Sequence, residues 1–166
     1  MNINRARGKS VDTGEWIYGY YEKYNGDSYI NRQSDILNSG GYPIREFIKV
    51  IPETVGLCSE LTDRKGTFIY EGDIMRTWRV ILFEKELKGY YGYDRDGYPQ
   101  RVPGYEGSMI VTEQKRDDNF LAVVTRTRSG SFYLEGASVF VDAITNEVVG
   151  NVYDNPDLIS KGDEDV

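Results

Sequence analysis

Apolar and polar residues alternate with a period of two through most of the chain, which is the pattern of strands that bury one face. Residues 15–24 place Trp16, Tyr18 and Tyr20 on one side and Ile17, Gly19 and Tyr21 on the other. Asn25-Gly26 follows, the dipeptide suited to a type I′ turn because both central positions need positive φ; residues 28–32 are the return strand. Alternation resumes over 44–51, and Pro52 then interrupts pairing and marks a boundary. Residues 55–61 and 67–70 form a second hairpin around the turn Asp63-Arg64-Lys65-Gly66. Glu71-Gly72-Asp73 makes a corner, with Asp73 as its capping side chain, and a long apolar strand leaves over 74–83. A helix competes for 83–87. Further strands are expected over 108–112, 120–127, 131–134, 139–144 and 147–153, with turns at Asp117-Asp118-Asn119, Arg128-Ser129-Gly130 and Thr145-Asn146. Asn155-Pro156-Asp157-Leu158 reads as an N-cap with proline in the first helical turn.

The alternation fails in three places. Residues 1–13 are polar and carry Arg5, Arg7 and Lys9, which reads as a frayed terminus. Gly8-Lys9-Ser10 there resembles the end of a phosphate loop, but Ile3 stands where that loop needs glycine. Residues 33–43 read as a loop with a helical turn at Asp35-Ile36-Leu37. Residues 89–107 set Tyr90, Tyr91, Tyr93, Tyr98 and Tyr105 among Gly, Asp and Pro. Two readings stand: a solvated hairpin tip with its rings laid on the body, or a binding loop, since Tyr gives much contact area at low entropic cost. A calcium loop at Asp94-Arg95-Asp96-Gly97 fails, because Gly92 and Pro103 fall where its first and last carboxylates belong.

Fourteen Tyr and 18 Gly fit half-buried sheets joined by corners. The expected fold is mainly all-β, with small barrel-like or sandwich sheets and a short C-terminal helical turn. Its parts would be an N-terminal β-hairpin layer (1–51), a barrel-like unit closed by the C-terminal strand (52–159) and an acidic tail (160–166). Net charge is −7, which disfavours a general nucleic-acid binder. Residues 154–166 hold five acids and Lys161, so that −4 lies there and −3 on everything before, leaving room for a local basic patch. Arg76, Arg79, Arg126 and Arg128 are the candidate nucleic-acid contacts of such a patch. The competing reading makes Arg76 and Arg79 edge charges, and Lys115, Arg116, Arg126 and Arg128 a solvated face offset by Glu113, Asp117 and Asp118.

With no histidine, a Ser-His-Asp or Cys-His relay cannot be built. The single Cys58 sits in apolar sequence and reads as core, so no intrachain disulfide and no Cys/His zinc site is expected. No dinucleotide fingerprint is present, and the expectation is a non-enzyme without metal or cofactor. No apolar run is long enough to span a bilayer, and no signal-peptide core follows Met1, which points to a reducing cytoplasm. Two functional classes remain: a module that binds a protein partner or itself through the Tyr-rich loop, and a small-barrel nucleic-acid binder.

Leu61-Thr62-Asp63-Arg64-Lys65-Gly66 followed by Ile69-Tyr70-Glu71-Gly72-Asp73-Ile74 resembles a signature of the YopX family of phage and prophage proteins. Pro52-Glu53-Thr54-Val55-Gly56 precedes it at the corresponding place, and the run from Glu147 to Leu158 is similar to that family's closing motif. Residues 14–24 look like its aromatic first strand, whereas 33–44 match nothing in it and 84–118 are longer than usual. The resemblance implies a predominantly β accessory protein of a phage or integrated element, and brings no catalytic residues with it. The two marked segments are expected to be sheet neighbours closing one barrel.

Overall fold

The structure is a computed structural model, and residues 5–137 and 146–160 are described. Six strands form one antiparallel sheet in the order β4-β3-β2-β1-β5-β6. In chain order these are β1 (Arg5–Lys9), β2 (Trp16–Tyr24), β3 (Asp27–Leu37), β4 (Pro43–Lys49), β5 (Gly56–Thr62) and β6 (Phe68–Tyr70). The strands β7 (Asp73–Lys88), β10 (Ser108–Arg126), β11 (Phe132–Leu134) and β12 (Glu147–Asn151) make a second sheet ordered β11-β10-β7-β12. Between them β8 (Tyr90–Tyr93) and β9 (Pro99–Arg101) form a small hairpin, and α1 (Asp157–Ser160) is a short helical turn near the C-terminus. The described residues are predominantly antiparallel strand, so the all-β expectation holds.

The first hairpin is the one the sequence predicts. Asn25 and Gly26 both take positive φ, 49° and 88°, and β2 pairs β3 from Tyr24–Asp27 to Tyr20–Asn31. A single bridge between Ser10 and Val50 brings the end of β4 back toward β1. The first four strands thereby curl around Ala6, Ile17, Ile30 and Val50, all buried. The curl stops at that bridge: the sheets are not closed into a barrel, which corrects the expected closure. The first sheet continues across Pro52, which opens a short 3-10 turn, and β5 pairs directly with β1.

The expected frayed terminus is, from Arg5 onward, a strand in the middle of the sheet, flanked by β2 and β5. Its polar sequence misleads because the cation that it buries has a distant partner. Arg7 is only 6% exposed; its Nη1 lies 2.6 Å from the Asp73 Oδ1, and its guanidinium sits over Trp16 and Tyr70. Asp73 Oδ2 also accepts the Tyr70 N–H at 2.8 Å. Burial raises the Asp73 carboxyl above its ordinary pKa, and the charge of Arg7 opposes that rise.

The Glu71-Gly72-Asp73 corner is where the two sheets meet. Glu71 N–H donates to Leu57 O, Gly72 N–H donates to Val124 O, and Gly72 O accepts from Val152 N–H. Gly72 has φ +83°, a conformation that side chains rarely adopt. A second core of Ile69, Met75, Ala122, Val124 and Leu134 lies just beyond it. Near the C-terminus Asp154 binds Lys9 and accepts from Trp16 Nε1, clasping the chain end to β1 and β2.

Three other expectations change. The loop over 33–43 is mostly strand: β3 runs to Leu37, with a register shift between Gln33 and Leu37 in place of the helical turn at 35–37. The turn at Asp117-Asp118-Asn119 is a bulge inside one continuous strand, two residues of β10 opposing Trp78 between the pairs Asp117–Arg79 and Phe120–Thr77. Residues 83–87 are strand, not helix. The strand expected at 139–144 lies outside the described residues, as does the acidic tail beyond Ser160.

Asp73→Ala leaves the Arg7 guanidinium buried without its counter-charge. Breaking one side of a buried pair costs about 3–5 kcal/mol, whereas Lys49→Ala, at the solvent-screened pair with Asp27, is expected to leave stability nearly unchanged. Urea unfolding followed by Trp fluorescence is expected to show that contrast; equal, small losses would mean the pair does not tie the sheets together.

Candidate functional site

β7 and β10 outrun their sheet. β12 covers β7 only from Asp73 to Arg76, and β11 covers β10 only from Val124 to Arg126. Beyond these, and among the described residues, the two strands pair only with each other, from Arg79–Asp117 out to Lys88–Ser108. That is a two-stranded arm roughly 31 Å long, at about 3.4 Å per residue. Cross-strand ion pairs hold it: Arg79 with Asp117 at 3.2 Å, which also places Arg79 over Phe120, and Lys85 with Glu113 at 2.8 Å. Val80, Leu82 and Ile110 project to solvent on one face, Ile81 and Phe83 on the other. Both outer edges are unpaired along this length among the described residues.

The candidate tyrosines sit at the far end of this arm. Gly89 and Gly107 lead into the β8–β9 hairpin, whose turn is fixed by the Asp94 carboxylate accepting from the Asp96 and Tyr98 N–H groups. Tyr91, Tyr93 and Tyr98 are more than half exposed. Tyr105 stacks edge-on against Tyr91 at 5.6 Å, and Tyr90 is half-buried. These rings stand on the hairpin at the end of the arm, exposed to solvent.

The four candidate arginines do not make one patch. Arg79 is tied to Asp117, and Arg126 donates to Gly130 O beside the exposed Arg128, at the β10–β11 turn. In the register that pairs Leu121 with Arg76, Arg126 lies five residues further along, roughly 17 Å away. Arg76 instead lines a cleft of about 110 Å³ with Arg64, Trp78, Arg116, Asp118 and Glu147 at the root of the arm. Glu147 there binds both Arg64 and Lys65, and Arg116 binds Asp118 and covers Trp78. Arg76 has no carboxylate partner among the described residues. The sequence placed Arg64 in a turn and Arg116 on a solvated face, and only the pairing of Glu147 with Arg76 and of Arg116 with Val80 brings Glu147, Arg76 and Arg116 to one face.

The turn 63–66 and strand β12 meet at this root. Asp63 accepts from the Lys65, Thr67 and Val148 N–H groups, fastening the turn to β12. Burial alone would raise its carboxyl, and those three donors outweigh it, holding the pKa below the ordinary value. Both segments of the sequence signature are therefore one physical unit. The family model described as YopX protein matches residues 7–160. The chain belongs to the YopX family. No curated protein and no solved structure matches it. The YopX match begins at Arg7 and spans the buried ion pair, the corner, the arm and its tip, so the segment 84–118 lies inside the matched span. Cys58 is buried in that framework, and burial pushes its thiol up, away from a reactive thiolate. Among the described residues no group of three or more His, Cys, Asp or Glu side chains could hold a metal ion, and no helix is long and apolar enough to cross a membrane.

Hydrogen bonds from Lys65 and Arg64 lower the Glu147 carboxyl below its ordinary value of 4.5. A lowered folded pKa means that the stabilisation is complete above about 4.5 and lost as pH falls through the folded value. Urea midpoints measured from pH 6 to pH 3 are expected to fall less steeply for Glu147→Gln than for the wild type below pH 4.5. Parallel acid limbs would show that Glu147 does not fasten turn 63–66 to β12.

Proposed function

We propose that this YopX protein is an accessory protein of phage or prophage type that works by binding, without catalysis, and that the surface it binds with is the β7–β10 arm and its tyrosine tip. The observation that supports this reading most directly is the arm itself. A two-stranded ribbon is marginal in water, and this one exposes Leu82 at 62% and Ile110 at 57% on one face, with both edges unpaired among the described residues. Open edges are templates for another strand. Exposed Tyr at the tip is suited to a contact surface, since each ring adds area with little entropy to lose.

The partner that fits the arm best is a second copy of the chain. Residues 77–88 and 108–119 hold five cations and five acids, so two arms can meet without the mutual repulsion that a chain of net −7 otherwise carries. Alternating cations and acids along Glu84, Lys85 and Glu86 suit an antiparallel contact between like edges. Such a protein would work in the cytoplasm of a bacterial host. The absence of histidine from the whole chain adds to the case against acid–base chemistry near neutral pH.

Light scattering coupled to gel filtration is expected to give more than monomer mass for the wild type, rising with concentration. Leu82→Glu with Ile110→Glu, and separately Tyr91, Tyr93 and Tyr98 to Ser, are expected to lower that mass with the far-UV spectrum and melting curve unchanged. A wild type that is monomeric at all concentrations, or variants that associate as the wild type does, would overturn the reading.

A further inference from the structure

The convex face of the first sheet carries a row of side chains that its core does not need. Direct pairing aligns Arg5 with Tyr20, Tyr20 with Asn31, and Asn31 with Phe47, straight across β1, β2, β3 and β4. Residues directly opposite one another share a face, so these four stand side by side on the surface turned away from Ile17, Ile30 and Val50. Tyr20 is 50% exposed and Phe47 56%. Tyr18, two residues before Tyr20 on the same strand and also half exposed, extends the row toward Tyr70, whose ring it meets edge-on at 5.7 Å. Arg45, two residues before Phe47, stands on the same face and is exposed.

The charges on this face are mixed: Glu22 stands two residues from Tyr20, Lys49 is paired with Asp27, and Arg5 and Arg45 stand near its two ends. Arg5 lies 4.0 Å over the Phe68 ring, and neither it nor Arg45 has a carboxylate partner among the described residues. The row therefore offers open aromatic faces about 10 Å apart, two strand spacings, an amide between them, and an unpaired guanidinium near each end.

We propose that this face binds single-stranded nucleic acid, with bases stacking on Tyr20, Phe47 and Tyr18, phosphates meeting Arg5 and Arg45, and Asn31 offering its amide to a base edge. Stacking platforms of this kind on a sheet, with cations tracking the backbone, are how proteins hold single strands with little sequence preference. A duplex has its bases already stacked and cannot use them. The face is separate from the arm, and the inference holds whether or not the arm self-associates. It also places nucleic-acid contact away from Arg76, Arg79, Arg126 and Arg128.

Fluorescence anisotropy with labelled dT20 and U20, and with a 20-bp duplex, at low salt on the full chain tests the assignment. The wild type is expected to bind the single strands more tightly than the duplex and to weaken as salt rises. Tyr20→Ala with Phe47→Ala is expected to weaken binding by roughly tenfold or more, while Tyr20→Phe with Phe47→Tyr, which keep the rings, bind as the wild type does. Both positions are exposed, and an unchanged far-UV spectrum separates lost binding from lost fold. The tip variant with Tyr91, Tyr93 and Tyr98 as Ser is expected to leave oligonucleotide binding unchanged. No binding to either oligomer at low salt overturns the proposal and leaves the face to a protein partner. Duplex binding as tight as single-strand binding, or alanine variants that bind like the wild type, overturn it equally.

Discussion

Arg7 and Asp73 hold each other in a place where neither could stand alone. Taking a guanidinium and a carboxylate out of water costs several kcal/mol per ion, and only close pairing with further hydrogen bonds offsets it. Here the pair closes at 2.6 Å, the second carboxylate oxygen takes the Tyr70 N–H, and Trp16 and Tyr70 lie beneath the guanidinium. Such a pair is weak as a source of stability and strong as a constraint. Any register of β1 against β2 other than Arg7 opposite Tyr18 would move the cation to the wrong face or the wrong row. The corner that carries Asp73 donates and accepts across both sheets, so fixing β1 fixes where β7 begins.

From that fixed start, the arm follows. β7 leaves the corner with β10 on one side and β12 on the other, and β12 ends its pairing at Arg76. The bulge at residues 118–119 comes opposite Trp78, two residues later, and bulges increase local twist. It therefore re-aims the ribbon just past the last pairing of β12 among the described residues. Past this point no third strand pairs with the ribbon among the described residues, and cross-strand ion pairs join its two strands. A well-buried root and an unburied arm are the usual division between a stable framework and a low-stability segment used for binding.

What was legible in the sequence was what local chemistry decides. Asn25-Gly26 specifies its turn through φ alone, and the corner at Gly72 does likewise. The apolar run over 74–83 announces a strand, although not how far it extends past its neighbours, because length beyond a partner is a property of the sheet. β1 was hidden since Arg5, Arg7 and Lys9 look solvated until Asp73, Phe68 and Asp154 are brought to them from 63 to 145 residues away. Asp117-Asp118-Asn119 has turn chemistry, and Asn119 N–H does bond the Asp117 side chain, yet Arg79 across the ladder keeps the strand running. The tyrosines of the tip and Arg76 were visible one by one; that the arm separates them was not.

The aromatic face of β2 shows where period-two reasoning stops. Alternation over 15–24 identifies two faces but does not say which is buried, and the larger rings would ordinarily be assigned inward. The structure turns Ile17 and Gly19 in, because the inner surface of the curl is tight: a Cβ at Gly19 would lie 2.4 Å from Asn31 O, and one at Gly8 3.0 Å from Val50. Small residues on the concave side put Tyr18 and Tyr20 on the convex side by the geometry of the pleat. Placing a ring outside requires only that β2 be a strand; it does not require that the residue be aromatic. Tyr18 has a packing reason for its ring, since it meets Tyr70 edge-on. Tyr20 and Phe47 make no ring–ring contact among the described residues, and the pleat alone does not call for aromatic side chains at those two positions.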